Sequence, residues 1–219
     1  MSIAAGAIND QESMSERAYK TLRDRLILLD IGPGTPINEG QIAAELGFGR
    51  TPVREALKRL EMDHLVVSYP RRGTFATIVD ISDLGAISEM RRLLEPLAAQ
   101  KAALNQDPEL RPEFERLAAE IAVLTAEDGR EALLDYDLAV HRLIYRAAGN
   151  HHLEETLVRL DNLATRIWCL VLGRLPQIGE HIHEHIGLVE AIMEGRAEEA
   201  ATLAEEHVRH FETTIRNAF

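Results

Sequence analysis

Arg50-Thr51-Pro52-Val53-Arg54-Glu55-Ala56-Leu57-Lys58-Arg59-Leu60 is the stretch that decides how this chain folds. Pro52 suits the first turn of a helix, where its missing N–H removes no intrahelical bond. Val53, Ala56, Leu57 and Leu60 recur at i, i+3, i+4 and i+7 and predict one buried stripe. Arg50, Arg54 and Lys58 lie roughly four apart on another face. A helix with an apolar back and a basic front at its N-terminal end has the form that the major groove of DNA admits.

The flanks extend this reading. Asn38 is a helix cap with Gln41 at the capping-box position, Ile42, Ala43 and Leu46 give an apolar side, and Gly47 stops the helix. Only Gly47-Phe48-Gly49 separates it from the basic helix. Downstream, Leu65 to Tyr69 reads as a strand, Pro70-Arg71-Arg72-Gly73 as a basic turn, and Thr74 to Ile78 as a second strand. The whole predicts a winged helix-turn-helix. Arg50, Thr51, Arg54 and Lys58 of the helix and Arg71, Arg72 and Gly73 of the wing are the candidate contacts to double-stranded DNA. An ordinary helical hairpin with a solvated basic face accounts for the helix alone, but not for the tight turn and basic wing together.

The run from Arg17 to Phe75 resembles the DNA-binding domain of the GntR family of bacterial transcription regulators. The resemblance rests on Tyr19-Lys20-Thr21-Leu22-Arg23, the Gly32-Pro33-Gly34 turn, Arg50 through Leu57, and Arg72-Gly73-Thr74-Phe75. Two positions depart from the family pattern. Gly49 stands where a capping Ser is frequent, so Thr51 or the Gly49 backbone must begin the helix. His64 stands where Gly usually precedes the wing.

Composition frames the motif. The chain has 219 residues and a formal net charge of −12, enough for two small domains. Residues 1–78 hold 10 Lys+Arg and 10 Asp+Glu, whereas residues 79–219 hold 14 and 26. One end can meet a polyanion and the other repels it. The one cysteine, Cys169, lies in the apolar run Ile167 to Leu172 and reads as a core thiol. No apolar run approaches the roughly 18 residues of a membrane span, and the N-terminus shows no signal-peptide pattern. The expectation is a cytoplasmic protein with no membrane partner.

The second half reads as helical throughout, so the expected fold class is mostly α: a winged helix-turn-helix over 15–79, then an all-α antiparallel bundle over 80–219, preceded by a flexible 1–14. Helices are predicted from Ser82 to about Leu104 with a bend at Pro96, from Asp107-Pro108 to about Thr125, and from Glu131 to Ala148. Others are predicted from His151 to about Gly173, from about Glu180 to Glu194, and from Ala197 to Asn217, with a loop at Pro176 to Gly179. Leu133, Tyr136, Val140 and Ile144 carry the helical period.

Asp137 and His141 are i, i+4 on one predicted helix and point the same way. His185 lies ten residues before Gly195 and His207 twelve after it. In an antiparallel pair both then sit about 15–18 Å from the turn, at one level. Three imidazoles and a carboxylate suit one divalent ion per chain: zinc, nickel, iron or manganese. Spacing leaves alternatives open, because His181 is i, i+4 from His185 and His210 is i, i+3 from His207. His183 should point elsewhere.

This half resembles the FCD type of C-terminal domain, the FadR-like branch of the same family. The matching pieces are Met90 to Ala99, Asp137 to His141 with Ala147-Ala148-Gly149-Asn150, Glu184-His185, and Glu190-Ala191-Ile192 through His207. Val140 stands where an aromatic residue is common. The resemblance implies Asp137, His141, His185 and His207 as metal ligands and assigns no role to His181, His183 or His210. It also implies a small carboxylate effector beside the metal, and a homodimer that sets two recognition helices on a palindromic operator. Arg91, Arg142 and Arg166 are candidate carboxylate partners, with Arg146 beside them; for Arg91 the plainer reading is a pair with Glu95. Together these readings predict a ligand-responsive repressor. Two other classes remain in view: a DNA-binding regulator whose metal is purely structural, and a metal-dependent hydrolase. The hydrolase lacks a second acid/base motif.

Overall fold

The computed structural model describes residues 12–125, 128–174 and 178–218. The chain divides into two compact units. The first holds α1 (Met14–Ile27), β1 (Pro36–Ile37), α2 (Glu39–Leu46), α3 (Arg50–Met62), β2 (Val66–Tyr69) and β3 (Gly73–Ala76). The second holds α4 (Leu84–Asn105), α5 (Arg111–Ala122), α6 (Arg130–Ala147), most of α7 (His151–Val171), α8 (Ile178–Met193) and α9 (Ala197–Asn217). Among the described residues no helix is long and apolar enough to cross a membrane. The expected flexible stretch falls mostly outside the described residues; from Ser13 onward the chain is ordered into α1, with Ser13 Oγ capping Glu16 N.

In the first unit, α3 packs its Val53, Ala56, Leu57 and Leu60 stripe, all buried, against Ala18, Leu22 and Leu26 of α1. Each fully buried leucine contributes about 1.5–3 kcal/mol relative to exposure, so this stripe fixes which face of α3 is left for solvent. Asn38 Oδ1 accepts from the backbone N–H groups of Gly40 and Gln41, and Gly47 ends α2 with φ 67°. The wing is a three-stranded antiparallel sheet in the order β1-β3-β2, with Ser68 opposite Thr74 and Ile37 on the other side of Thr74. The sequence predicted two strands. The third, β1, has two residues, too short to show alternation.

In the second unit α4 and α9 pack closely. Ala98, Ala99 and Ala102 of α4 are buried, as are Ala200, Ala204 and Val208 of α9. Small residues let the two backbones approach. α4 runs through Pro96 without interruption. The helix predicted from Asp107 begins instead at Arg111. Asp107 closes a separate turn: its Oδ1 accepts from Glu109 N and its carbonyl from Leu110 N and Arg111 N, which uses the groups that would have started a helix. The loop predicted at Pro176 begins outside the described residues, and α8 is already helical at Ile178.

Candidate metal centre and nucleic-acid interface

The first unit leaves one face of α3 and the wing tip uncovered. Arg50, Thr51, Arg54, Lys58, Arg71, Arg72 and Gly73 are all exposed. Gly49 is the N-cap of α3 and no side chain caps the helix, so its first N–H groups stay available to a phosphate. Arg54 reaches back to Glu39 at the start of α2, with Nη2 to Oε2 at 2.9 Å. That pair is exposed and exchangeable, since solvent and salt screen surface ion pairs. Arg59 faces the other way: it pairs with Glu16 at 2.5 Å and stacks 3.9 Å over the Tyr19 ring.

Two residues around the wing adopt left-handed backbone: His64, between α3 and β2, with φ 61°, and Arg71, in the wing turn, with φ 63°. His64 follows the C-cap of α3. Leu65 N donates to Leu60 O and His64 N to Glu61 O, the Schellman pattern, with Leu60 and Leu65 both buried. The left-handed geometry is the physical reason a glycine is favoured where His64 stands.

The second unit gathers four side chains at one point. Asp137 and His141 come from α6, His185 from α8 and His207 from α9, and all four are buried. His141 Nε2 lies 3.3 Å from His185 Nε2 and 3.3 Å from His207 Nε2. Asp137 Oδ1 lies 3.8 Å from His141 Nε2 and 3.7 Å from His185 Nε2. Bonds of about 2.0–2.1 Å to a tetrahedral ion separate donor atoms by roughly 3.3–3.4 Å, so these spacings suit donors converging on one centre. Asp137 Oδ1 is buried and has no hydrogen-bond partner among the described residues. An orphaned carboxylate oxygen in the interior is costly unless a cation meets it. The donor set therefore fits a divalent ion.

Each histidine is steadied through its other ring nitrogen, as ligating histidines usually are. His185 Nδ1 donates to the Ile182 carbonyl at 3.1 Å. His207 Nδ1 lies 2.9 Å from Glu184 Oε2. His141 Nδ1 lies 3.2 Å from the Tyr145 hydroxyl and 3.4 Å from Glu95 Oε2. Burial pushes His141 down, but Glu95 and Asp137 outweigh it and lift the ring to about 9. Burial and then neighbouring histidines drive His185 and His207 well below the ordinary value. Burial raises the Glu184 carboxyl, yet hydrogen bonds from His181 and His207 prevail and hold it well below its ordinary range.

Arg91 is buried and already engaged. Its Nε donates to Glu95 at 2.5 Å and its Nη2 lies 3.5 Å from Asp161. The Glu95 pairing is the plainer of the two sequence readings, but it sits in the interior rather than on the surface. Arg142 is half-buried beside Asn162 of α7. Arg146 is exposed and pairs with Glu113. Arg166 belongs to the α7 segment Thr165–Cys169 that clusters with the first unit, where it donates to the Thr77 hydroxyl and carbonyl. Sequence reasoning gave no role to Tyr145, Asp161 or Glu184, and saw in Glu95 only a partner for Arg91. Tyr145 stands i+4 from His141, a signal that could have been used; Glu95 is 46 positions from His141, and nothing local reveals that pairing.

A winged helix-turn-helix joined to an all-helical domain defines the class, a DNA-binding transcription regulator rather than an enzyme, and comparison with known proteins agrees. Residues 14–76 match the model of bacterial regulatory proteins of the gntR family, and residues 86–210 match the FCD domain. The chain belongs to the GntR family of transcription regulators, in the group that carries an FCD domain. It is 30% identical over 179 residues to a probable D-xylose utilization operon transcriptional repressor of Paenarthrobacter nicotinovorans, covering 80% of this chain and 76% of that one. It is 19% identical over 209 residues to the transcriptional repressor RspR of Escherichia coli, covering 95% and 92%. The structure of E. coli McbR/YncC shares the fold, with a TM-score of 0.82 at 20% identity over 94% of this chain and 99% of that one.

Proposed function

We propose that this regulator is a cytoplasmic repressor that holds one divalent metal ion per chain at Asp137, His141, His185 and His207 and senses a small organic or sugar acid there. The observation that carries the reading is the convergence of four buried donor atoms around an unpartnered Asp137 oxygen. The ion supplies a Lewis-acid point of attachment for a carboxylate oxygen. His141, His185 and His207 present Nε2 to it because Glu95, Ile182 and Glu184 hold their other nitrogens. Arg142 is the arginine we assign to the acid's second oxygen. Arg91 serves through charge and position, since Glu95 and Asp161 engage it; Arg166 is the weakest candidate, because it clusters with the other unit. Relatives named as repressors support the sign of regulation.

Arg50, Thr51, Arg54 and Lys58 read the major groove, and Arg71, Arg72 and Gly73 follow the backbone or minor groove. The protein acts as a homodimer on a palindromic operator. Met90, Leu93 and Leu97 stand exposed at i, i+3 and i+7 of α4, an apolar stripe of the kind a second copy covers.

The test combines elemental analysis with ligand response. Purified protein should carry close to one ion per chain, and His207→Ala should lose it. A screen of small carboxylates should find one that raises the melting temperature of metal-loaded protein, by about 2.7 kcal/mol of stabilisation at 100 times its dissociation constant. The same acid should change operator affinity, and operator should change acid affinity by the same factor. A metal-loaded protein with stabilising acids that leave DNA affinity untouched points instead to a purely structural ion.

A further inference from the structure

A second group of donors stands beside the first; of its members only Glu184 has a part in the inner centre, where it steadies His207. His181 and Glu184 lie on α8 at i, i+3, and His210 lies on α9 one turn beyond His207. One donor atom from each lies within 4.8 Å of the others. His181 Nδ1 is 3.4 Å from Glu184 Oε2, and His210 Nδ1 contacts Glu184 Oε1. The 3.4 Å spacing is the edge of a tetrahedral site with bonds of about 2.0–2.1 Å. We propose that His181, Glu184 and His210 hold a second divalent metal ion, next to the buried centre and open to solvent.

The chemistry of the set supports this. Two imidazoles and one carboxylate suit zinc and its neighbours, and three protein ligands leave a position for water. A role for Glu184 limited to steadying His207 explains its 2.9 Å contact with His207 Nδ1. It does not explain why His181 and His210 converge on the same carboxylate.

The two centres share a wall. His181 stacks on His207 with ring centroids 4.1 Å apart, and His181 Nε2 lies 3.9 Å from Asp137 Oδ1. Two dications this close repel, so the second binds more weakly. His181 is buried, but the His210 side chain is 51% exposed, so the outer ion exchanges with free metal while the inner one stays. Each ion keeps one carboxylate of its own, Asp137 inside and Glu184 outside.

Zinc titration of the full chain, read by native mass spectrometry and by elemental analysis after gel filtration, tests this. Wild type should take two ions per chain, the second more weakly. His210→Ala alters an exposed residue, so the fold should hold; it should take one. Its affinity for the outer ion should fall by more than the 10–100-fold that loss of a mere supporting contact gives. His152→Ala is the control, because His151 and His152 form an exposed ring pair elsewhere on the chain, and it should still take two. Saturation of wild type at one ion overturns the proposal. So does any count other than one in His210→Ala, or a drop to one in His152→Ala.

Discussion

Replacing Glu95 by glutamine should separate what the buried polar network does for stability from what it does for the metal centre. Glu95 is 3% exposed. Its Oε1 accepts from Arg91 Nε at 2.5 Å and from the Tyr145 hydroxyl at 3.0 Å, and its Oε2 lies 3.4 Å from His141 Nδ1. Removing one partner of a buried ion pair costs about 3–5 kcal/mol, because the other charge is stranded. Glutamine keeps the shape and one acceptor, and Asp161 still faces Arg91 at 3.5 Å. The lower end applies, about 3 kcal/mol. At roughly 2–4 °C per kcal/mol for a chain of this size, the melting temperature should fall by about 6–12 °C.

The same change loosens the grip on the His141 ring, and metal affinity should fall by about 10–100-fold. Chemical denaturation of metal-stripped protein reads the first effect, and zinc titration reads the second. The double variant Glu95→Gln/Arg91→Met then removes the stranded charge. Stability should return only in part, because the Arg91 charge is no longer stranded but the buried Asp161 carboxyl loses its guanidinium. Metal affinity should not return, because His141 still lacks its carboxylate. A Glu95→Gln protein within about 1 kcal/mol of wild type would refute the stranded-charge argument. A double variant that regained metal affinity along with stability would refute the orienting role.

Other substitutions test the first unit. Arg54→Ala should weaken operator binding by about 1–3 kcal/mol and lower the ratio of operator to random-DNA affinity; an unchanged ratio in a binding titration means Arg54 reads no base. His64→Gly should raise unfolding stability by about 1 kcal/mol in denaturant melts, because it removes a side chain from φ 61°; a loss of stability shows that the imidazole makes contacts worth more than the strain. Burial and then the hydrogen bond to Asp63 raise Tyr19 to about 12. The neutral phenol is the form the fold favours, so its contribution is whole below pH 10 and is lost as pH rises through 12. With its partial exposure this amounts to about 1 kcal/mol after screening. Tyr19→Phe should flatten the fall in stability between pH 10 and 12 relative to wild type, and an equally steep fall in the variant counts against this account.

The readability of the fold follows the range of the interactions involved. α2, α3 and the wing were legible because each is specified within a few residues: Asn38 caps its own helix, Gly47 ends it, and Val53 to Leu60 repeat at 3.6. β1 was hidden because two residues carry no period, and its pairing with Thr74 and Phe75 is set nearly forty positions away. The start of α5 was misplaced because Asp107-Pro108 is equally good as a cap and as a turn. For the centre, the i, i+4 relation of Asp137 and His141 was local. The meeting of His185 and His207 followed from their near-equal distances to Gly195, whose φ of 72° lets Arg196 N return to Ala191 O. Spacing could not separate His181 and His210 from His185 and His207. The structure shows the reason: both groups line one wall, and Glu184 touches both.

Charge gives an independent argument for a cation in the helical unit. Asp137, Glu95 and Asp161 are buried carboxyl groups in or beside the centre, and Arg91 is the buried guanidinium that pairs with two of them. Burial raises the Arg91–Glu95 pair's cost on both sides, yet Arg91 and His141 hold the Glu95 carboxyl at about 2. Burial pushes the Asp161 carboxyl up despite His141 and Arg91 beside it. Three ionised carboxylates against one guanidinium would leave two uncompensated negative charges in the interior, which is prohibitive. Protons on His141 and Asp161 are one way to cancel them. A single dication at the four converging donors is the other, and it alone also gives the Asp137 oxygen a partner. The same reasoning gives the buried network of Arg91, Glu95, Tyr145 and Asp161 its role. A hydrophobic core of equal volume is often as stable, so the network is better understood as the frame that fixes the His141 ring.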